Sequence, residues 1–417
     1  MQISKNQSLT FIFGIFLSVN VFSQSVTEWR GIGRTGVYNE PGLLTEWPAA
    51  GPQLLWSVAE IPTGYSSPVI VDGTVFITGR KDTMDILTAI DKAGKQLWQI
   101  SYGRAWNESF PESRCAPTYE NGRLYLSSGL GDLACVDAND GKILWSLRAS
   151  EKYEGGFGTW GISESPLIID NKLIYSPGGN KTAMIALDKS NGNLIWQSES
   201  LNDRPAYTSP ILITHNGQNQ IINVSESYIY GVSPIDGKII WKFDYMHYTN
   251  PENADINTNS PLFYNGGIFV SNGYNHCGVL LKLSDDGSSV TPAWANTDLD
   301  THHGGYVRIG EYIYGSNWLN NGMGNWICLD WNTGKTMYNT EWNNKGPIIS
   351  DGQMLYCQDE KKGNFALVKA NPEKFEVTSS FKIPLGTGPY WAHPVISNGV
   401  LYVRHGMALM AYDIKQK

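Results

Sequence analysis

The strongest constraint in this chain is a motif that it repeats against itself. The stretches AIDKAGKQLW (89–98), CVDANDGKILW (135–145), ALDKSNGNLIW (186–196), GVSPIDGKIIW (231–241) and CLDWNTGKTMY (328–338) align with one another. Each closes an apolar strand, makes a polar turn around a glycine (Gly94, Gly141, Gly192, Gly237, Gly334) and places an aromatic four residues later. Asp or Asn opens such a turn by bonding its own backbone, and Gly supplies the positive φ that a tight hairpin needs. Further along each unit, small residues and a proline precede a second apolar run, as in SSPVIV (66–71), ESPLII (164–169), TSPILI (208–213) and AHPVIS (392–397). Each unit therefore reads as four short antiparallel strands, A to D, and successive A strands start 41 to 51 residues apart. That combination is the signature of a β-propeller blade.

Eight A-strand starts can be counted, at Pro68, Pro117, Pro166, Pro210, Pro261, Tyr306, Pro347 and Pro394. The outer-strand aromatics number only seven: Trp98, Trp145, Trp196, Trp241, Trp294, Tyr338 and Phe381. The last unit stops at AYDIKQK, before a fourth strand of its own, while an unattached copy, PQLLWSV (52–58), stands ahead of the first unit. Pairing that strand into the last blade closes the ring and removes both open edges. The expected fold is all-β: a single eight-bladed propeller over 51–417, with its ring closed by the N-terminal strand.

Upstream, 24–50 reads as an N-terminal arm and 1–23 as a signal peptide. Lys5 precedes an apolar run from Leu9 to Phe22, and Val21 and Ser23 are small enough for a cleavage site. No later stretch approaches the roughly 20 apolar residues of a membrane span, and no cysteine follows the run to carry a lipid anchor. The expectation is an exported protein, periplasmic or secreted, without a membrane anchor. A net charge of −8 with unclustered basic residues argues against nucleic acid as a partner. Cys115, Cys135, Cys277, Cys328 and Cys357 stand singly, in no metal, redox or haem-attachment spacing. An odd count leaves one thiol unpaired or paired between molecules, and burial on strands is their plainest reading.

The repeat, ending in Asp-turn-Gly-Lys-x-x-Trp, resembles that of the pyrroloquinoline-quinone-like propeller family. The leading segment WRGIGRTG (29–36), with GLLTEW and GPQLLW, is similar to exported members labelled alcohol or polyvinyl-alcohol dehydrogenases. The resemblance implies two functional classes: quinone-dependent alcohol dehydrogenases, and a non-enzymatic outer-membrane assembly lipoprotein. For the first it implies pyrroloquinoline quinone with Ca²⁺ as cofactor. This chain lacks the adjacent cysteine pair and the haem motif of many such enzymes, and it lacks the anchoring cysteine of the lipoprotein.

The stretch DTHHGGY (300–306) sets two of seven histidines side by side. In a propeller, the D–A and B–C connections share one face, and six of the seven histidines sort to it; only His215 falls opposite. The residues just before each A strand converge on the central funnel. They supply Arg114, Trp160 and Glu164, Tyr207, Asn259, His302 and His303, Lys345, and Trp391 with His393. A ring of such polar and aromatic groups is the usual pattern of a ligand site. The competing reading is that channel mouths are wet and their polar residues solvate inner carbonyls. Metal binding is not expected: adjacent residues alternate faces on a strand, so the pair could share an ion only from a loop. Loops 99–116, 146–165 and 242–260 add aromatics among carboxylates, which suits a sugar or polyol, or caps the blades. GGFGTWG (155–161) precedes a strand rather than a helix, so it is no phosphate cradle.

The sequence therefore predicts an exported propeller binding a small polyol, sugar or quinone at its funnel mouth. In its catalytic form it would be a quinone-dependent alcohol or polyol oxidoreductase. Glu164 or His303 would be the base, with Arg114 or Lys345 facing the developing oxyanion or quinone oxygen. The alternative is a non-catalytic cell-envelope scaffold that binds protein partners.

Overall fold

The computed structural model describes residues 25–253 and 256–416; the expected signal peptide lies outside them. Eight four-stranded antiparallel sheets follow one another around a ring. The A strands begin at Val69, Thr118, Leu167, Ile211, Leu262, Tyr306, Ile348 and Val395. In seven blades that is one residue past the proline, which has no N–H to offer a ladder. In the last blade, strand Gln53–Val58 pairs antiparallel with Ala408–Asp413 and closes the ring.

The glycine of each repeat has a second task beyond its turn. A Cβ on Gly141 would come within 2.8 Å of the Trp98 ring, on Gly192 within 2.9 Å of Trp145, and on Gly237 within 2.4 Å of Trp196. Each outer-strand tryptophan thus lies flat on the next blade's turn. The indole N–H of Trp145 then donates to Lys189 O at 3.0 Å, and that of Trp196 to Pro234 O at 3.2 Å. Phe381 fills the same role in blade seven, against Gly51 just ahead of the closing strand. The core lies between blades. Tyr125, Leu133 and Cys135 of blade two, for example, meet Leu173, Tyr175 and Ile185 of blade three. The cysteines are free thiols, four of them buried.

The arm runs through the middle of the ring. Val26 pairs with Ile70 of blade one, Thr27 O accepts from Tyr119 N of blade two, and Gly36 O accepts from Ser350 N of blade seven. Arg30 donates to Tyr306 O (2.5 Å), Ile348 O (3.2 Å) and His393 Nδ1 (2.6 Å). Arg34 donates to Ser165 O (2.9 Å), Pro166 O (2.7 Å) and Pro210 O (2.9 Å). Two buried guanidiniums so tie five blades together, and Gly36 is needed because any Cβ there would strike the Arg30 guanidinium. The rest of the arm lies against blades seven and eight, with Trp47 edge-on to Phe381 at 5.0 Å.

Candidate functional site

With the arm across its channel, the ring becomes a blind cup of ≈ 580 Å³, floored by Trp29. Its wall comes from the D–A and B–C connections. Of the ten residues expected there, Arg114, Trp160, Tyr207, His302, His303, Trp391 and His393 line it; Glu164, Asn259 and Lys345 do not. Position relative to the A strand explains the division. Tyr65, Arg114, Ser163, Tyr207, Thr258 and Trp391 each stand three residues before the proline that precedes an A strand, as His303 does before Tyr306, and all face the cup. Glu164, Asn259 and Lys345 stand two before that proline, where the side chain turns into the wall.

Their contacts lie within the wall. The Glu164 carboxylate accepts from Ser176 N at 3.1 Å, burial raises its pKa to about 8, and it does not line the cup. Asn259 donates to Ser271 O, Thr301 O and His302 O, holding the histidine loop rather than a ligand. Lys345 sits 2.8 Å from Glu360 Oε1 and donates to Asn320 O. Arg114 reaches the wall, but its donors serve the carbonyls of Phe110, Glu112 and Trp160. It positions two aromatic faces and leaves little for an oxyanion.

Aromatic and imidazole rings supply half of the lining residues. Trp391 meets Tyr65 at 4.8 Å, His303 at 4.6 Å and Phe110 at 5.4 Å, while Trp160 meets Tyr207 at 5.5 Å. The D–A loops divide between the two readings given them: Phe110 and Trp160 line the cup, whereas Trp106, Tyr153 and Tyr245 are buried as caps.

His302 and His303 lie in the loop before a strand, with the bend at His303 and Gly304, their rings 3.9 Å apart. The loop is clamped on both sides. Thr258 Oγ1 donates to His302 O at 2.6 Å, and Ile348 N to Gly304 O at 3.1 Å. A Cβ on Gly304 would strike Gly346 O at 2.2 Å. His302 Nε2 meets Tyr274 Oη at 3.1 Å, and burial with the nearby Lys345 and Lys361 lowers its pKa to about 3. Burial and its neighbours push His303 well down too. His393 is different. Arg30 can only donate, so His393 Nδ1 accepts, and its Nε2–H donates to His303 O at 3.1 Å. Both nitrogens are committed and the ring offers a ligand only its edge and face.

Sequence reasoning missed Trp29, Tyr274, Glu360 and Lys361. Glu360 and Lys361 stand in a charged B–C turn, DEKK, which reads as a solvated loop although it lies on the right face. Burial raises the Glu360 pKa, opposed mainly by Lys345.

A family model described as outer membrane protein assembly factor BamB matches residues 83–336. BamB of Nitrosomonas eutropha is 27% identical over 144 residues, 33% of this chain and 30% of that protein. Quinoprotein alcohol dehydrogenase PedH of Pseudomonas putida is 25% identical over 150 residues, 34% of this chain and 24% of that one. The matched segments thus span less than a third of these relatives. Among solved structures, BamB from Moraxella catarrhalis gives a TM-score of 0.63 at 11% identity, covering 87% of this chain and 99% of that one. A europium-containing methanol dehydrogenase gives 0.67 at 13% identity, covering 92% and 90%. At such identities the structural likeness speaks to fold alone. The family match takes in more than half of the chain and agrees with the eight-bladed ring, so the chain belongs to the PQQ-like β-propeller family of BamB.

Proposed function

We propose that this propeller is an exported binding protein whose cup takes a small hydroxylated ring compound, a sugar or cyclic polyol. The observation that carries the reading is the cup itself: ≈ 580 Å³, closed below by Trp29, and walled by aromatic faces with few polar groups. Ligand pockets commonly enclose about 300–1,000 Å³ with such a lining. Sugar CH faces stack on Trp391, Trp160 and Tyr207, while Lys361, Glu360 and His302 offer hydrogen bonds.

Pyrroloquinoline quinone with Ca²⁺ fits the cup's polar groups poorly. Ca²⁺ takes about six to eight oxygen ligands, and here one carboxylate, Glu360, already pairs with Lys345. A tricarboxylate quinone calls for several uncommitted cations; Arg114 already serves carbonyls and Lys345 serves Glu360 within the wall, which leaves Lys361. No redox step is assigned.

The test is quenching of tryptophan fluorescence, since three indoles line the cup. Monosaccharides, cyclitols and pyrroloquinoline quinone with Ca²⁺ are titrated separately. A saturable change with a sugar or cyclitol, abolished in Trp391→Ala, supports the reading. A response to the quinone alone would overturn it.

The scaffold reading has its own observation. Leu54, Leu55, Leu97, Ile143, Leu144, Leu194 and Ile195 begin the outer strands of four consecutive blades and are 40% to 52% exposed. This aliphatic band faces away from the cup and suits a protein partner in the envelope. Capture of a partner that survives Trp391→Ala but fails with Leu97→Glu would favour it.

A further inference from the structure

His302, His303 and Glu360 meet on one side of the cup, each offering a ligand atom within 4.8 Å of the others. We propose that they bind a divalent transition ion of the zinc type, with a remaining coordination position open to the cup. This reverses the expectation from sequence, which rested on the two histidines alternating on a strand. They lie in a loop that bends at His303, where two adjacent side chains can turn to the same side.

Three features support the donor set. The Nδ1 atoms of His302 and His303 are buried and lack a hydrogen-bond partner, an arrangement that costs free energy unless something binds them. Lys345 takes Glu360 Oε1 at 2.8 Å, leaving Oε2 turned toward His303 Nδ1 at 3.9 Å. Two of the three donors are also held from behind, His302 Nε2 by the Tyr274 hydroxyl and the Glu360 carboxylate by Lys345. Such supporting contacts orient metal ligands generally.

Geometry and chemistry choose the ion. Zinc bonds of about 2.0–2.1 Å place tetrahedral ligands roughly 3.4 Å apart, so the cluster must contract by a modest side-chain rotation. Two nitrogens and one carboxylate suit zinc and its neighbours, while Ca²⁺ and Mg²⁺ prefer oxygen alone. Three protein ligands with an open position resemble catalytic rather than closed structural sites. On the ligand reading above, that position would take a hydroxyl or carbonyl oxygen of the bound sugar or polyol; the metal site itself does not depend on that reading.

The test is calorimetric titration of the full chain, stripped with chelator, using Zn²⁺ and then Ca²⁺, with no sugar present. We expect one equivalent of Zn²⁺ to bind and Ca²⁺ to give no heat of binding. His303→Ala and Glu360→Gln should each weaken Zn²⁺ by at least about tenfold, and His247→Ala, at an exposed histidine outside the cup, should leave it unchanged. Because Glu360→Gln leaves Lys345 without its partner, His302→Gln serves as a second variant, and circular dichroism must show each folded. Co²⁺ in place of zinc should give visible d–d bands in the wild type that His302→Gln removes. Less than one equivalent of Zn²⁺, or equal affinity in the folded histidine variants, overturns the proposal. Zinc binding without any sugar response would sustain it while refuting the sugar reading.

Discussion

The arm's arginines give the sharpest test of how this ring is held. Arg34→Met keeps the side chain's length and apolar stem and removes every donor. The Arg34 side chain is 1% exposed, and its guanidinium serves three carbonyls and Glu28 Oε2 at 3.2 Å. The three carbonyls are not equal. Pro166 O also accepts from Thr118 Oγ1 at 2.6 Å, so it keeps a partner when Arg34 goes. Ser165 O and Pro210 O lose their charged donor, and a buried group left without its partner costs about 1–3 kcal/mol. The Glu28 pair is partly exposed, and screening reduces its share to below about 1 kcal/mol. The sum is a loss of about 3 kcal/mol, reduced if water enters from the channel to replace the donor. Guanidinium unfolding followed by tryptophan emission measures it, with Arg148→Met as a control because that side chain is 65% exposed. A loss under about 1 kcal/mol, or one equal to the control, would refute the claim that the arm ties blades together through buried carbonyls.

Three further outcomes are expected. Glu164 is held near a pKa of about 8 by burial, above its ordinary value of 4.5. The native state therefore keeps a proton that the unfolded chain loses, and stability is fullest below pH 4.5 and falls as pH rises toward about 8. Glu164→Gln should flatten the decline of melting temperature with pH across that window, leaving a residue from Asp85 and Asp300, each raised by burial to about 7; parallel curves would contradict the assignment. Gly237→Ala should cost more than Gly217→Ala. Both have positive φ, +78 and +79, but only Gly237 carries the Trp196 ring, so the difference in unfolding free energy isolates that packing, and equal costs would show the ring is not pressed on the turn. In a thiol titration of the native protein at most one cysteine, Cys277, should react promptly, and five should react after unfolding; fewer than five in denaturant without reductant would reveal a disulfide.

The blades were legible because each is local. Turn glycine, aromatic and strand-start proline recur within about 40–50 residues, the span of one propeller repeat, and packing between blades reuses those same residues. Even Phe381, the weakest aromatic of the set, lands where the repeat places it, with Gly51 supplying the turn for a strand borrowed from the other end of the chain. The arm was not legible in the same way. Arg30 and Arg34 reach carbonyls 131 to 318 residues away, and no periodicity marks them; only the run of glycines in WRGIGRTG hints at a tightly turned backbone. The site was legible in half. Convergence before the A strands named the right segments, but the expected set mixed residues two and three places ahead of the strand-start proline, or of Tyr306. Their side chains point to opposite sides, so Tyr65 and Ser163 line the cup while Glu164, Asn259 and Lys345 turn into the wall.

That one-residue alternation also decides what the site can do. Had Glu164 and Lys345 faced inward, the cup would hold a second carboxylate and a free ammonium, a pairing suited to proton abstraction from an alcohol. With both turned into the wall, the inward charge reduces chiefly to Glu360, Lys361 and the committed Arg114, set among rings. Lys345 then acts only through Glu360, fixing one carboxylate oxygen and aiming the other at the histidine pair. The family match does not choose between a dehydrogenase and a scaffold, because both share the ring. In this chain Glu164 and Lys345 are turned into the wall while Glu360 and Lys361 line the cup, so it is the ligand and partner assays, and not the ring, that separate the two.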